Sequence, residues 1–309
     1  MMRTTTTLLL AIVLLAGCKQ YEKTPSGLTY KISKGSGKEK LKHGQMVSAN
    51  IEYRISPKDT LLLSTYGHIP MYFTVDTSRK EKHTFTEFLN EMAAGDKAEF
   101  VMNVDTMKKL NMLDYNEIFH QHDLIKGKIE ILKTFASQEE MKADYDKQIL
   151  AENENEKVAV KKYAEKKGYK TQTTRSGVLV EIQNPGTGAK ADSGMMVAVM
   201  YKGFFELPNG KEKEFDSNNQ PASTHKEPYR FVIGTNAVIP GWDEGLRLFS
   251  KGGKGRLIVP AFLAYGPNGS APAIPPHTNL VFDVELVDVS VPPPPPPVSA
   301  QPVPAPVKH

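Results

Sequence analysis

Apolar positions along the chain change period several times, and each change marks a boundary. Leu8 to Leu15 is a nearly unbroken apolar run with Arg3 ahead of it. At about ten residues it falls short of the roughly 20 a spanning helix needs, so it predicts a signal peptide. Leu28, Tyr30 and Ile32 then alternate, as do Val47, Ala49, Ile51 and Tyr53, the period-two pattern of half-buried strands. Met71 to Val75, Phe100 to Val104 and Ile125 to Leu132 add further strands. Thr84 is an N-cap candidate before Phe85, Phe88, Leu89 and Met92, which share one helical face, and Gly95 closes that helix.

From Ala136 the period lengthens. Ser137-Gln138-Glu139-Glu140 is a capping box. Behind it, Met141, Tyr145, Ile149, Val158, Val160 and Tyr163 give an intermittent apolar stripe in a run of Lys and Glu that Gly168 ends. This predicts one long helix, or two in line, of about 45 Å at about 1.5 Å per residue. Its surface should be mostly solvated. A dimer seam is the alternative use, although the heptads are not sustained.

The second half repeats the first. Gly177-Val178-Leu179-Val180-Glu181-Ile182 echoes Gly27-Leu28-Thr29-Tyr30-Lys31-Ile32, and Val197, Val199 and Tyr201 echo Val47, Ala49 and Ile51. Gly252 to Val259 echoes Gly95 to Met102. The offset of roughly 150 residues is a domain repeat, well beyond solenoid periods. The expected fold class is α+β: two copies of an antiparallel sheet wrapped over a short helix, joined by a long charged helical linker. Beyond Val291, Pro292 to Pro297 opens a tail that should be extended polyproline II without a core, a spacer or a disordered tail, with docking of a partner as the alternative. The chain thus divides into a signal peptide (1–17), a tether (18–25), a first domain (26–135), a helical linker (136–169), a second domain (170–290) and a Pro-rich tail (291–309).

Composition narrows the picture slightly. Lys and Arg number 39 against 35 Asp and Glu, a net charge of +4 with no basic stripe, which argues against a nucleic-acid partner. Cys18 is the only cysteine. It closes Leu15-Ala16-Gly17-Cys18, which resembles a bacterial lipobox. That resemblance implies lipidation of Cys18 and attachment to a membrane of the bacterial cell envelope. Lys19 in the next position leans toward the outer membrane, facing the periplasm.

Candidate chemistry concentrates in the second copy. Pro240 and Gly241 punctuate the backbone so that Trp242, the only tryptophan, opens a helix whose apolar positions Leu246 and Phe249 follow at helical spacing. Around it in sequence lie Phe215-Asp216-Ser217, Tyr229-Arg230-Phe231, Ala264-Tyr265-Gly266 and Ile274-Pro275-Pro276-His277. This order and spacing resembles the FKBP-type peptidyl-prolyl cis-trans isomerases. The match covers about 110 residues, with a segment from Asn218 to Glu227 longer than in the compact members.

The resemblance implies isomerisation of X-Pro bonds in a pocket floored by Trp242. It implies that Tyr201, Phe215, Phe231, Val238, Ile239 and Phe282 complete the lining, with Tyr229 and Ile274 at the rim. It further implies that the Ile239 N–H, the Tyr265 hydroxyl and the Asp216 carboxylate contact the peptide. No cofactor and no metal are expected. His120-Gln121-His122 could share a strand face but has no third ligand in view. The expected partners are proline-containing unfolded or partly folded polypeptides, with a homodimer through the linker or first domain left open. A proline-binding chaperone or interaction module with little turnover is the alternative. The first copy has Ile51 where the second has Tyr201, Leu62-Leu63-Ser64 for Phe215-Asp216-Ser217, Phe85 for Trp242 and Gly127 for Phe282, so it is expected to be a degenerate copy without activity.

Overall fold

Alternation along Met46–Ser56 and Leu124–Phe135 builds the longest pair of strands in the first sheet, with Val47, Ala49, Ile51, Ile129 and Ile131 all turned to one buried face. The structure, a computed structural model, describes residues 21–78, 81–220, 223 and 225–293. Cys18, the signal segment and most of the Pro-rich tail lie outside the described residues. The chain divides after Ile149 into two compact units.

The first unit has seven strands: β1 (Glu22–Lys23), β2 (Thr29–Ser33), β3 (Met46–Ser56), β4 (Thr60–Ser64), β5 (Met71–Thr74), β6 (Lys97–Asn103) and β7 (Leu124–Phe135). They pair antiparallel in the order β1-β2-β6-β7-β3-β4, with β5 beside β3. The helix expected behind Thr84 is instead two successive 3-10 turns, Phe85–Glu87 and Leu89–Glu91. Thr84 does cap the first, its Oγ1 accepting from Thr86 N at 3.3 Å. Phe88, at φ −116° between the turns, breaks the α ladder, while Phe88, Leu89 and Met92 remain buried. A short α-helix, α1 (Val104–Lys109), follows β6 and is capped by Asn103.

Residues 138–167 form one helix, α2 (Gln138–Lys167). The capping box forms: Ser137 Oγ accepts from Glu140 N at 3.2 Å, and the Glu140 carboxylate reaches back to Ala136 N at 2.9 Å. The apolar stripe is corrected. Val158 and Tyr145 are exposed, whereas Glu152, Glu156, Val160 and Ala164, one every fourth residue, are buried.

The second unit carries β8 (Gln172–Thr173), β9 (Leu179–Asn184), β10 (Met196–Glu206), β11 (Glu212–Ser217), β12 (Tyr229–Val232), β13 (Lys254–Val259), β14 (Leu280–Ser290) and the helix α3 (Pro240–Gly245). Its strand order, β8-β9-β13-β14-β10-β11 with β12 beside β10, repeats that of the first unit strand for strand. The irregularities repeat too. Register shifts at Ser48/Ala49 and Tyr53/Arg54 recur at Ala198/Val199 and Gly203/Phe204, 150 residues on in each case.

This second sheet is covered on both faces. Leu179, Phe204, Ile258 and Val281 face Val160 and Ala164 of α2, while their neighbours Val180, Leu257 and Phe282 face the core beneath α3. The C-terminal half of α2 is therefore part of the second unit, which begins at Leu150. It is pinned there by the Glu156 carboxylate, which accepts from Phe262 N at 2.6 Å.

Candidate functional site

The floor of the site depends on two glycines. Pro240 starts α3 with its φ already helical and no N–H to leave unpaired. Gly241 and Gly245 lie on one face of the helix, one turn apart. A Cβ on Gly241 would sit 2.3 Å from Val259 Cγ1, and one on Gly245 would sit 2.8 Å from Leu257 Cδ2. Only glycine lets α3 seat this closely on β13, and the seat presents the indole of Trp242.

Trp242 is 5% exposed and held by four rings. Tyr201 and Phe282 meet it edge-on at 5.1 and 5.2 Å between centroids, Phe231 lies at 5.9 Å and Tyr229 at 6.4 Å. Edge-to-face contacts of this kind add to simple burial and fix the ring planes. Above the indole is a cavity of about 250 Å³ lined by Tyr201, Phe215, Asp216, Tyr229, Ala237, Val238, Ile239, Trp242, Tyr265 and Phe282.

Phe215 and Asp216 are neighbours on a strand, so a regular strand would point them to opposite faces. Gly203 pairs with Asp216 and Phe204 with Glu214, which leaves Phe215 as the extra residue of a β-bulge. The bulge re-aims the chain so that both side chains line one cavity. Gly203 makes room for them, because a Cβ there would lie 2.6 Å from Phe215 Cζ and 3.0 Å from Phe282 Cε1.

One edge of the bowl is polar. The Tyr201 hydroxyl donates to Asp216 Oδ2 in a short hydrogen bond. Burial, then the hydrogen bond and charge of Asp216, push the Tyr201 hydroxyl well above the ordinary tyrosine range. Burial, then Asp216 and Tyr229, raise Tyr265 as well, so both phenols remain hydrogen-bond donors. Ile239 is the N-cap of α3, and its carbonyl accepts from Trp242 N at 2.9 Å. Its N–H meets no acceptor among the described residues, and neither does the buried indole Nε1 of Trp242.

Two sequence candidates lie elsewhere. Phe231 packs behind Trp242 without lining the cavity. Ile274 is not at the rim: its backbone pairs with Ser270 in both directions at 2.8 Å, which turns its side chain into the core. Three residues went unforeseen. Ala237 lines the cavity just before Val238. Asn218 is buried, accepts from Tyr201 N and donates to Val199 O and Glu227 O, tying both ends of the long segment to the sheet. His225, in that segment, places Nε2 3.4 Å from both the Tyr201 hydroxyl and Asp216 Oδ1. A lone histidine in a polar loop carries no sequence signal for this.

The first unit fills the same place differently. The matching register sets Ile51 at the position of Tyr201 and makes Leu62 the bulged residue, with Leu63 at the position of Asp216. Gly127 pairs with Tyr53, whereas Phe282 pairs with Gly203, so ring and glycine have changed strands. The Phe100 ring covers Gly127, where a Cβ would sit 2.2 Å from Phe100 Cζ, and meets Tyr53 edge-on at 5.9 Å. His120 and His122 do not form a pair. They lie in a turn, and their Nδ1 atoms contact different carboxylates, Asp123 and Asp105, at 3.2 and 3.1 Å.

The cavity is thus an aromatic bowl with phenol donors and a carboxylate acceptor along one edge. Residues 187–287 match the family described as FKBP-type peptidyl-prolyl cis-trans isomerase. A Haemophilus influenzae protein named "Probable FKBP-type peptidyl-prolyl cis-trans isomerase" is 32% identical over 222 residues, 68% of this chain and 88% of its own length. The FKBP-type peptidyl-prolyl cis-trans isomerase FkpA of Escherichia coli is 44% identical over 128 residues, 41% of this chain and 43% of its own. The crystal structure of that protein covers 51% of this chain and 75% of its own, at 35% identity and a TM-score of 0.38. The chain belongs to the FKBP-type peptidyl-prolyl cis-trans isomerase family.

Proposed function

We propose that the cavity over Trp242 is the isomerase site, and that it acts on X-Pro bonds of exported polypeptides. Rotation about such a bond crosses a barrier of about 18–20 kcal/mol set by amide resonance. No covalent bond breaks. The twisted amide has lost resonance, so its carbonyl is less polarised and its nitrogen more pyramidal, and a site that excludes water favours it over the planar form. The proline ring rests on the indole between Tyr201, Phe215 and Phe282. The Ile239 N–H and the Tyr265 hydroxyl serve as fixed donors to the peptide, and Asp216, on the same polar edge as Tyr265, helps orient it. The observation that carries this reading is the bulge at Phe215, which brings an aromatic wall and a carboxylate into one cavity.

The first unit, with Phe100 over Gly127 and no counterpart of Asp216, serves as a binding or spacing element without turnover. The lipobox at Cys18 supports export and anchoring by a lipid in the bacterial envelope. Exchange NMR on an X-Pro peptide tests the site. Phe215→Ala should lower the rate at least as much as Asp216→Val, with both variants folded by circular dichroism. The reading is wrong if both variants keep the full rate.

A further inference from the structure

We propose that His225 is a positioning residue for the Asp216–Tyr201 pair and that its protonation makes isomerisation pH-dependent; this rests on the reading of the Trp242 cavity as the active site. His225 does not line the cavity. It stands behind the polar edge, with Nε2 3.4 Å from the Tyr201 hydroxyl and 3.4 Å from Asp216 Oδ1. Tyr201 has one hydroxyl proton, and Asp216 Oδ2 takes it. Both atoms facing Nε2 are therefore acceptors, so His225 must present an N–H to them.

Described residues on either side of His225 are anchored: the Asn218 amide donates to Val199 O and Glu227 O, and Ser217 Oγ lies 3.1 Å from Ser223 Oγ. The titratable groups around this edge are Asp216 on β11, Tyr201 on β10, Tyr229 at the start of β12 and Tyr265 after β13. Lys226 and Glu227 follow His225 in its own segment. Histidine is the side chain type whose charge ordinarily changes between about pH 5 and 8.

A protonated ring holds Oδ1 of Asp216 by charge across 3.4 Å, beside its hydrogen bond with the Tyr201 hydroxyl. Oδ2 then stays on Tyr201, and the edge is ordered before substrate arrives. A neutral ring keeps the hydrogen bond with the Tyr201 hydroxyl and loses the charge. The side chains are 49% and 42% exposed, so the pair is screened. The expected change in kcat/KM is therefore about two- to fivefold, falling as pH rises.

The test uses the full chain and three forms: wild type, His225→Arg and His225→Leu. Isomerisation of a short X-Pro peptide is followed by exchange NMR from about pH 5 to 8.5, inside the histidine range. Wild type should fall across this range. His225→Arg should stay flat at the acid level, because guanidinium remains charged, and His225→Leu, with neither charge nor donor, should stay flat at or below the alkaline level. Added salt should shrink the gap between the two variants. A flat wild-type profile, or an equal slope in His225→Leu, overturns the proposal. No acceleration by wild type at any pH overturns the reading of the cavity itself.

Discussion

Deleting residues 150–169 should nearly unfold the second unit, although none of them lines the cavity. Val160 and Ala164 of α2 cover Leu179, Phe204, Ile258 and Val281, all almost fully buried. A large apolar side chain is worth about 1.5–3 kcal/mol when fully buried, so four give at most about 6–12 kcal/mol. Neighbouring side chains keep part of that cover, and a realistic loss is on the order of 5 kcal/mol. The deletion also removes the Glu156 carboxylate that satisfies Phe262 N–H. Domains of this size have only about 5–15 kcal/mol to lose. Urea unfolding of fragments 150–293 and 170–293, followed by circular dichroism, measures the difference. The shorter fragment should have a much lower midpoint and bind a hydrophobic dye before denaturant is added. In the full chain, Val160→Asp should have the same effect in milder form. Equal midpoints and slopes for the two fragments would refute the idea that the outer face of the sheet needs this cover.

Gly203→Val should abolish isomerisation with the unit still folded, because the new side chain enters space held by Phe215 and Phe282; a normal rate in an exchange assay counts against the bulge geometry. Cys18→Ser should move the protein from the membrane pellet to the soluble fraction, since an acyl chain contributes about 0.8 kcal/mol per buried methylene; persistence in the pellet after a salt wash rejects lipid anchoring. Burial and Asp216 raise Tyr201, and burial with Asp216 raises Tyr265, so the folded state holds these protons more tightly than the unfolded chain. Their contribution to stability is full below about pH 10 and is lost as pH rises through the raised values. Urea midpoints between about pH 8 and 11 should therefore fall less steeply above 10 in Tyr201→Phe than in wild type.

Much of this was legible in the chain. Period-two alternation found the long strands, and Gly177 to Ile182 against Gly27 to Ile32 exposed the repeat. Pro240-Gly241-Trp242 announced the floor of the cavity. Other features depend on partners distant in sequence. Glu152 and Glu156 read as solvated charges, yet both are buried, Glu156 against Phe262 N and Glu152 beside His277, partners more than 100 residues away in sequence. The family resemblance alone places Ile274 at the rim, and the Ser270 pairing, which no local pattern announces, turns it inward. His225 looks like any loop histidine until the bulge brings Asp216 beside it. Phe85 and Phe88 have helical spacing, yet Phe88 at φ −116° breaks the α ladder and leaves two 3-10 turns.

The exchange of ring and glycine between β3–β7 and β10–β14 has an evolutionary consequence. In one sheet the ring is Tyr53 opposite Gly127; in the other it is Phe282 opposite Gly203. Gly127→Phe alone drives a new side chain into Phe100. Tyr53→Gly alone removes one of the two rings that meet Phe100 edge-on, leaving Phe88. A lineage passing from one arrangement to the other would have to cross a form with both rings or with neither, and would have to shrink Phe100 as well. The two arrangements thus differ at three sterically coupled positions, so a change at any one of them in the first sheet calls for changes at the other two.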